Sequence, residues 1–168
     1  LNSVKNIVRL EARQANSQGE NEITIRDLIK TSLRMRPDRI IVGEVRGEET
    51  LDMLQAMNTG HDGSLSTGHA NSPKDMLARL ETMVLMGMEI PLNAVRAQIA
   101  AGIDIMVHLA RMPDKTRKIV EINEVKDYDN SDIQLNKIYE LQEDRLVKTG
   151  KLINVDKLKR CNLNWRDM

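Results

Sequence analysis

The sequence predicts an α/β domain that ends in a small antiparallel meander. The first observation is a continuous apolar run, Ile40 to Val42, of the kind that forms a buried parallel strand. The second is the pair of short strand-like segments that follow residue 111, close enough along the chain to pair with each other. The third is a series of four stretches with the apolar spacing of helices, which begin near Thr24, Glu48, Ser72 and Pro91.

Length and composition restrict the class of protein. A chain of 168 residues suits one domain with a real core. Its 25 basic and 25 acidic residues cancel, so the net charge favours neither a nucleic-acid partner nor an anionic membrane. Aromatic residues make up only 2% of the chain, which argues against stacking on nucleic-acid bases. These two observations predict no nucleic-acid partner. No apolar stretch is long enough to cross a bilayer, so we expect a soluble domain.

The first half of the chain contains two predicted strands and two predicted helices. Alternating apolar residues predict a short strand over Lys5–Ala12. Thr24 followed by Asp27 resembles a capping box at the start of a helix. The apolar run above belongs to a strand over Arg39–Val45, which leads into a helix over Glu48–Asn58 with acidic residues at its positive end.

The second half begins with two more helices and ends in strands. Ser72 and Asp75 are the expected cap and acidic first turn of the third helix, and Pro91 precedes the fourth. The acidic residues Asp127–Asp132 are expected to form a solvated turn, and Trp165 to anchor the terminus. Strands are predicted at Ile103–Leu109, Lys118–Val125 and Ile133–Leu141, and a weak helix at Val155–Arg160.

Glu44 follows the apolar strand and is the first candidate site residue. Open parallel sheets bind ligands beyond the carboxyl ends of their strands. A carboxylate there is costly unless it is paired, hydrated or coordinated. Arg46 projects to the same side of an extended chain, so one interpretation is a structural ion pair. The other is a carboxylate that orients a water, directly or beside Mg²⁺, for attack on a phosphate. The residues alone leave both open.

The histidine segment, which we define as His61 to Asn71, is rich in glycine and hydroxyl side chains. Glycine lets a backbone approach a ligand closely, and Thr59 and Thr67 accompany the two histidines, His61 and His69. A lone histidine is more often structural, whereas two in one small-residue segment favour a site. Their separation of eight residues does not match the helical zinc pattern, so we expect no metal. A neutral imidazole can instead donate a hydrogen bond to phosphate. His108 stands alone in its strand and is interpreted as structural.

Three arginines cluster around the end of the first predicted helix, at Arg34, Arg36 and Arg39. Cations at this position suit the negative end of the helix dipole. A contact with a phosphate or with another subunit is the alternative, and the sequence does not separate the two interpretations.

Two long motifs carry a family resemblance. LRMRPDRIIVGEVRGEE resembles the Walker B segment of the type II and type IV secretion ATPases, and TGHDGSLSTGHANSP resembles their histidine box. The resemblance runs from about Arg9 to Leu141. Within the family, the sequence most resembles the subgroup that assembles tight-adherence pili. It implies the C-terminal portion of a RecA-like P-loop NTPase domain. Residues 1–110 would carry the partial ATPase core, and residues 111–168 the last strands and the tail of the same domain.

The resemblance also implies roles for individual residues. Glu44 would activate water for ATP hydrolysis, and Arg46 follows the family pattern Gly-Glu-x-Arg. Gln98 matches a family position without a role that we can assign. The residues near the nucleotide would be Gly43, Arg46, Thr59, Gly60, His61, Thr67 and His69.

For the whole protein, the resemblance implies a homo-hexameric ATPase that uses ATP and Mg²⁺. Its partners would be inner-membrane platform proteins of a pilus or secretion system, and it would work in the cytoplasm against the inner face of the membrane. The chain has no G-x-x-x-x-G-K-[ST] and begins at Leu1, so we expect a fragment that follows the P-loop and is inactive alone. The alternatives are a non-catalytic assembly or regulatory module, and a metal-dependent hydrolase built on His61, His69 and Glu44.

Overall fold

A computed structural model of the chain describes residues 5–129 and 132–160. Helices and strands alternate in its first half, and strands dominate its second half, as the sequence predicts. The elements are α1 (Ile25–Arg34), β1 (Ile41–Val42), α2 (Glu49–Asn58), β2 (Leu65–Ser66), α3 (Pro73–Gly87), α4 (Leu92–Gly102), β3 (Ile105–Arg111), β4 (Arg117–Tyr128), β5 (Ile133–Gln142), β6 (Arg145–Lys148) and α5 (Asp156–Arg160).

The first and third helices begin where their caps predict. The Thr24 hydroxyl accepts a hydrogen bond from the backbone N–H of Asp27, and the Asp27 carboxylate accepts one from the N–H of Thr24, each at 3.1 Å. This reciprocal pair is the predicted capping box. The Ser72 hydroxyl likewise accepts from the N–H of Asp75 at 3.0 Å. Both sets of bonds satisfy backbone donors that a helix start leaves unpaired.

The strands form two separate sheets. β1 and β2 pair in parallel, with Ile41 opposite Leu65. The meander consists of β3 to β6, which pair in chain order and antiparallel. Its last strand was not predicted, because all four residues of β6 are exposed and give no alternation of apolar and polar residues. β5 and β6 are joined by a tight turn at Glu143 and Asp144, both with positive φ.

The core lies among the helices and is built from aliphatic side chains and methionine. α2 packs against α1, α3 and α4. Leu54, Val84, Val95 and Ile99, from α2, α3 and α4, have no measurable exposure. The chain has no Phe, so these branched residues fill the space that aromatic rings would otherwise occupy.

The predicted strand over Lys5–Ala12 is wrong. These residues are irregular, and the nearest pairing is an isolated antiparallel bridge between Arg13 and Ile23. A strand requires a pairing partner, and none of the described strands pairs with this segment. Its apolar side chains Val8 and Leu10 are 60% and 43% exposed.

Two grooves flank the parallel sheet. The larger, of about 820 Å³, lies between β2 and β3 and is lined by apolar residues that include Leu65, Ile105 and Val107. The smaller, of about 450 Å³, lies beside β1 and includes Val8 and Ile41. Within residues 5–129 and 132–160, no strand pairs with the edges of β1, β2 and β3 that face these grooves.

Some predictions concern residues outside the described ranges. These are the anchoring role of Trp165 and the central part of the acidic turn, residues 130 and 131. No helix in the described part of the chain combines the length and the apolar character needed to cross a bilayer.

Candidate functional site

Glu44 lies two residues beyond β1, at the edge of the parallel sheet where its strands end. Its carboxylate contacts the guanidinium of Arg46, with Nη2 at 2.6 Å from Oε2, and the imidazole of His69, with Nε2 at 3.0 Å from Oε1. The Glu44 side chain is 22% exposed, whereas those of Arg46 and His69 are 73% and 78% exposed. The carboxylate is therefore partly enclosed, and its two partners stand on its solvent side.

These contacts lower the pKa of Glu44. The hydrogen bond from Arg46 is the main cause of a pKa below the ordinary value of 4.5, and the charges of Arg46, His69 and Arg79 act in the same direction. Desolvation opposes the change and is outweighed. Glu44 thus carries its negative charge at neutral pH and is able to accept a hydrogen bond from water.

Strand pairing brings Glu44 and the histidine segment together. The Thr67 hydroxyl donates to the carbonyl oxygen of Gly43 at 2.6 Å, and the N–H of Val45 donates to the carbonyl oxygen of Thr67 at 3.1 Å. Because β1 and β2 are parallel, their carboxyl ends meet at the same edge of the sheet. The chain positions His69 against Glu44 in this way, although 25 residues separate them.

Arg79 joins this group, and sequence reasoning missed it. Its Nη1 donates to the carbonyl oxygen of His69 at 2.9 Å. Arg79 projects from α3, whose pattern predicted only an apolar stripe and an N-cap. The available signal was a cation on the polar face of a helix that starts directly after the histidine segment.

Thr59, Gly60 and His61 form a second group at the end of α2. The Thr59 hydroxyl donates to the carbonyl oxygen of Gln55 at 2.8 Å, and His61 Nδ1 lies 3.1 Å from the carbonyl oxygen of Ala56. Gly60 has a φ of 89°, a conformation that glycine adopts without steric cost. These contacts complete the helix end and place His61 on the wall of the groove between β2 and β3.

The three predicted arginines occupy different surroundings. Arg34 lies in the last turn of α1, and Arg36 follows the helix with a φ of 52°. Arg39 lies against the histidine segment, where a Cβ atom added to Gly63 would be 2.7 Å from its Nε. The structure thus places Arg39 next to the segment and Arg34 at a helix end, where it suits the dipole.

Two further residues singled out in the sequence lie elsewhere. His108 Nδ1 is 3.3 Å from the carboxylate of Glu121 on the paired strand β4. The backbone oxygen of Gln98 accepts from the Asn58 side chain at 3.1 Å, while its own side-chain oxygen is buried.

The described residues do not by themselves form a magnesium site. Mg²⁺ prefers several oxygen ligands, and the Glu44 carboxylate is already held by Arg46 and His69. In the described ranges, no three His, Cys, Asp or Glu side chains are grouped so as to hold a metal ion.

Comparison with known proteins identifies the family. The family model described as "Type II/IV secretion system protein" matches residues 5–152. A Mycobacterium tuberculosis protein named for conjugal transfer is 46% identical over 116 residues, which cover 69% of this chain and 33% of that protein. Conjugal transfer protein TrbB of Rhizobium radiobacter is 36% identical over 120 residues, which cover 71% of this chain and 36% of that protein.

A solved structure has the same fold. The crystal structure of the VirB11 ATPase from the Brucella suis type IV secretion system matches with a TM-score of 0.56 and 34% identity, over 60% of this chain and 31% of that one. The match and the antiparallel meander confirm the predicted fold class, the C-terminal portion of a RecA-like NTPase domain. The chain spans about a third of the length of these two curated relatives. It belongs to the family of type II/IV secretion system proteins.

Proposed function

We propose that the complete protein hydrolyses ATP and that Glu44 is the residue that activates the attacking water. The observation that carries this proposal is the ionised carboxylate at the edge of the parallel sheet, held at 2.6 Å by Arg46 and at 3.0 Å by His69. An anionic oxygen in a fixed orientation can accept a proton from water as the water attacks a phosphate.

In this proposal, the other residues of the site orient the Glu44 carboxylate or contact the bound ATP. Arg46 and His69 orient Glu44, and both are exposed enough to turn toward a phosphate when one is bound. Thr67 and Arg79 hold the backbone on either side of His69. Thr59, Gly60 and His61 would contact the nucleotide from the end of α2, by the resemblance to the histidine box.

The residues that bind the ATP phosphates and Mg²⁺ would lie outside these 168 residues. A P-loop supplies backbone N–H groups and a lysine to the phosphates, and no such motif occurs in the 168 residues. We propose that it lies in the upstream part of the complete protein. The chain alone is therefore expected to be inactive.

In the complete protein we propose a homo-hexamer that powers pilus assembly or secretion from the inner face of the cytoplasmic membrane. Inner-membrane platform proteins would be its partners, and the tight-adherence subgroup its nearest relatives. Arg34, Arg36 and Arg39 are candidates for contacts between subunits or with phosphate. Names of the relatives that refer to conjugal transfer and secretion support a transport role in general.

The alternative, a non-catalytic assembly module, is favoured by one observation. Glu44 and Arg46 already form a close ion pair, as expected if their role were to close the strand. A single substitution in the complete protein separates the two functions.

Glu44→Gln preserves the shape of the side chain and removes its charge. We expect ATP binding to persist and hydrolysis to fall by about 100-fold or more, because a general base contributes at least that factor. The matched control is Glu121→Gln, which alters a second Glu–His pair, with His108, on the meander. Turnover and nucleotide binding are measured on both variants. Unchanged turnover in Glu44→Gln would support the assembly module. An equal loss of turnover in both variants would show that the loss is not specific to Glu44.

A further inference from the structure

The last described residues, 149–160, cross the meander and end beside the histidine segment, and we name them the C-terminal strap. Its first residues lie along β5, where the N–H groups of Thr149 and Gly150 both donate to the carbonyl oxygen of Ile138, at 2.8 and 3.1 Å. The strap then passes over β4 and forms α5.

Glu124 on β4 anchors the strap. Glu124 is only 2% exposed. Its carboxylate accepts hydrogen bonds from the N–H of Ile153 at 3.0 Å and from the N–H of Asn154 at 2.6 Å. The Asn136 side chain adds a third bond at 2.8 Å and also donates to the carbonyl oxygen of Lys151. A buried carboxylate is costly unless donors surround it. Because the strap supplies two of these donors, its path is fixed at this point.

Lys157 joins the strap to the histidine segment through an ion pair. Its ammonium group lies 2.8 Å from the Asp104 carboxylate, just before β3, and 3.1 Å from the Asp62 carboxylate, next to His61. Partial burial lowers the pKa of Lys157, but the hydrogen bonds with Asp104 and Asp62 outweigh burial and raise it. Lys157 therefore stays charged and bridges the two walls of the larger groove.

We propose that Lys157 is a positioning residue for the histidine segment, holding Asp62 and the adjacent His61 in place through the strap that Glu124 anchors. The proposal rests on the proposed function, in which His61 lies next to the nucleotide. The side chains of Lys157 and Asp62 are 40% and 62% exposed, and exposed ion pairs contribute little to overall stability. The effect of Lys157 is thus on one loop rather than on the whole fold.

Hydrogen exchange in the complete, nucleotide-free protein tests the position of the loop. Lys157→Ala is expected to speed amide exchange at residues 60–64, where the N–H of Ser64 bonds to the carbonyl oxygen of His61 at 3.2 Å. Exchange in the helical core is expected to stay the same. The control is Lys118→Ala, which removes another lysine–aspartate pair, with Asp144, inside the meander.

Steady-state kinetics test the link to turnover. Lys157→Ala is expected to lower kcat for ATP by about twofold to fivefold, the range that a partly exposed ion pair supports. Lys157→Arg keeps the charge and is expected to restore kcat. Asp62→Asn is expected to cause a similar loss, and the double variant no loss beyond that of Lys157→Ala, because Lys157→Ala already breaks the contact that Asp62→Asn removes.

Unchanged exchange at residues 60–64 in Lys157→Ala would overturn the proposal, and so would an equal effect of Lys118→Ala. Additive losses in the double variant would also overturn it, since they would show that Lys157 and Asp62 act separately. The exchange measurement needs no ATP hydrolysis. It therefore tests the strap even if Glu44→Gln shows that Glu44 is not catalytic, and the two failures are distinguishable.

Discussion

The carboxylate of Glu44 depends on Arg46 for its low pKa, which gives a prediction at the level of one side chain. Arg46→Ala removes the main cause of the shift, so the pKa of Glu44 is expected to rise toward the ordinary value of 4.5. A carboxylate with a lowered folded-state pKa adds stability that is present above 4.5 and is lost as the pH falls through the lowered value. In Arg46→Ala this contribution is expected to shrink or vanish, because the folded-state pKa then approaches that of the unfolded chain. Carbon-13 NMR titration of the Glu44 carboxyl group measures the change.

Glu140 is an internal reference for that titration. Its pKa is lowered chiefly by a hydrogen bond with Lys137, on the same meander and away from β1. It should titrate identically in the natural protein and in Arg46→Ala. If the pKa of Glu44 did not move while that of Glu140 stayed constant, the Arg46 contact would not be what lowers the pKa of Glu44.

The sequence predicts some contacts of the site and not others. Glu44 was identified because a carboxylate after a buried strand needs an explanation, and the ion pair with Arg46 follows from their spacing of two residues. The contact between Glu44 and His69 depends on the pairing of β1 with β2, which no local pattern encodes. Arg79 was missed for the same reason, since it binds a backbone oxygen ten residues earlier.

Among whole elements, helices were predicted better than strands. The starts of α1 and α3 are defined by side chains within three residues of the first turn, so the sequence contains the whole cause. A strand is defined by a neighbour elsewhere in the chain. The predicted strand at Lys5–Ala12 pairs with no strand in the described ranges, whereas β6 is paired in spite of its exposed, charged sequence.

The C-terminal strap gives a prediction for an element. A Cβ atom at Gly150 would overlap the carbonyl oxygen of Lys137, which is held in the backbone of β5 and is unable to move aside as a flexible side chain would. Gly150→Ala is therefore expected to displace the strap and to lower the free energy of unfolding by about 1–3 kcal/mol, as overpacking usually does. Thermal or denaturant unfolding of the complete protein measures this loss.

Gly43→Ala is the comparison for stability, because a Cβ atom there meets nothing within 4 Å. We expect its free energy of unfolding to stay within about 0.5 kcal/mol of the natural value. A Gly150→Ala variant as stable as Gly43→Ala would mean that the strap does not pack closely on β5.

The two grooves determine how the isolated 168-residue chain should behave. Free strand edges bordered by exposed apolar side chains are sites of association between chains. Leu65 on β2 and Val107 on β3 are 60% and 48% exposed and face the larger groove. We therefore expect the chain, prepared alone, to self-associate as its concentration rises. Size-exclusion chromatography with light scattering measures the mass of the species formed.

Charges placed at these edges should oppose that association, because lysine on an edge strand repels a second edge. The double variant Leu65→Lys with Val107→Lys is expected to shift the chain toward the monomer. Met86→Lys is the matched control, since Met86 is 68% exposed on α3 and does not line either groove. Association that Met86→Lys reduced as strongly as the edge variant would locate the contact on the helices.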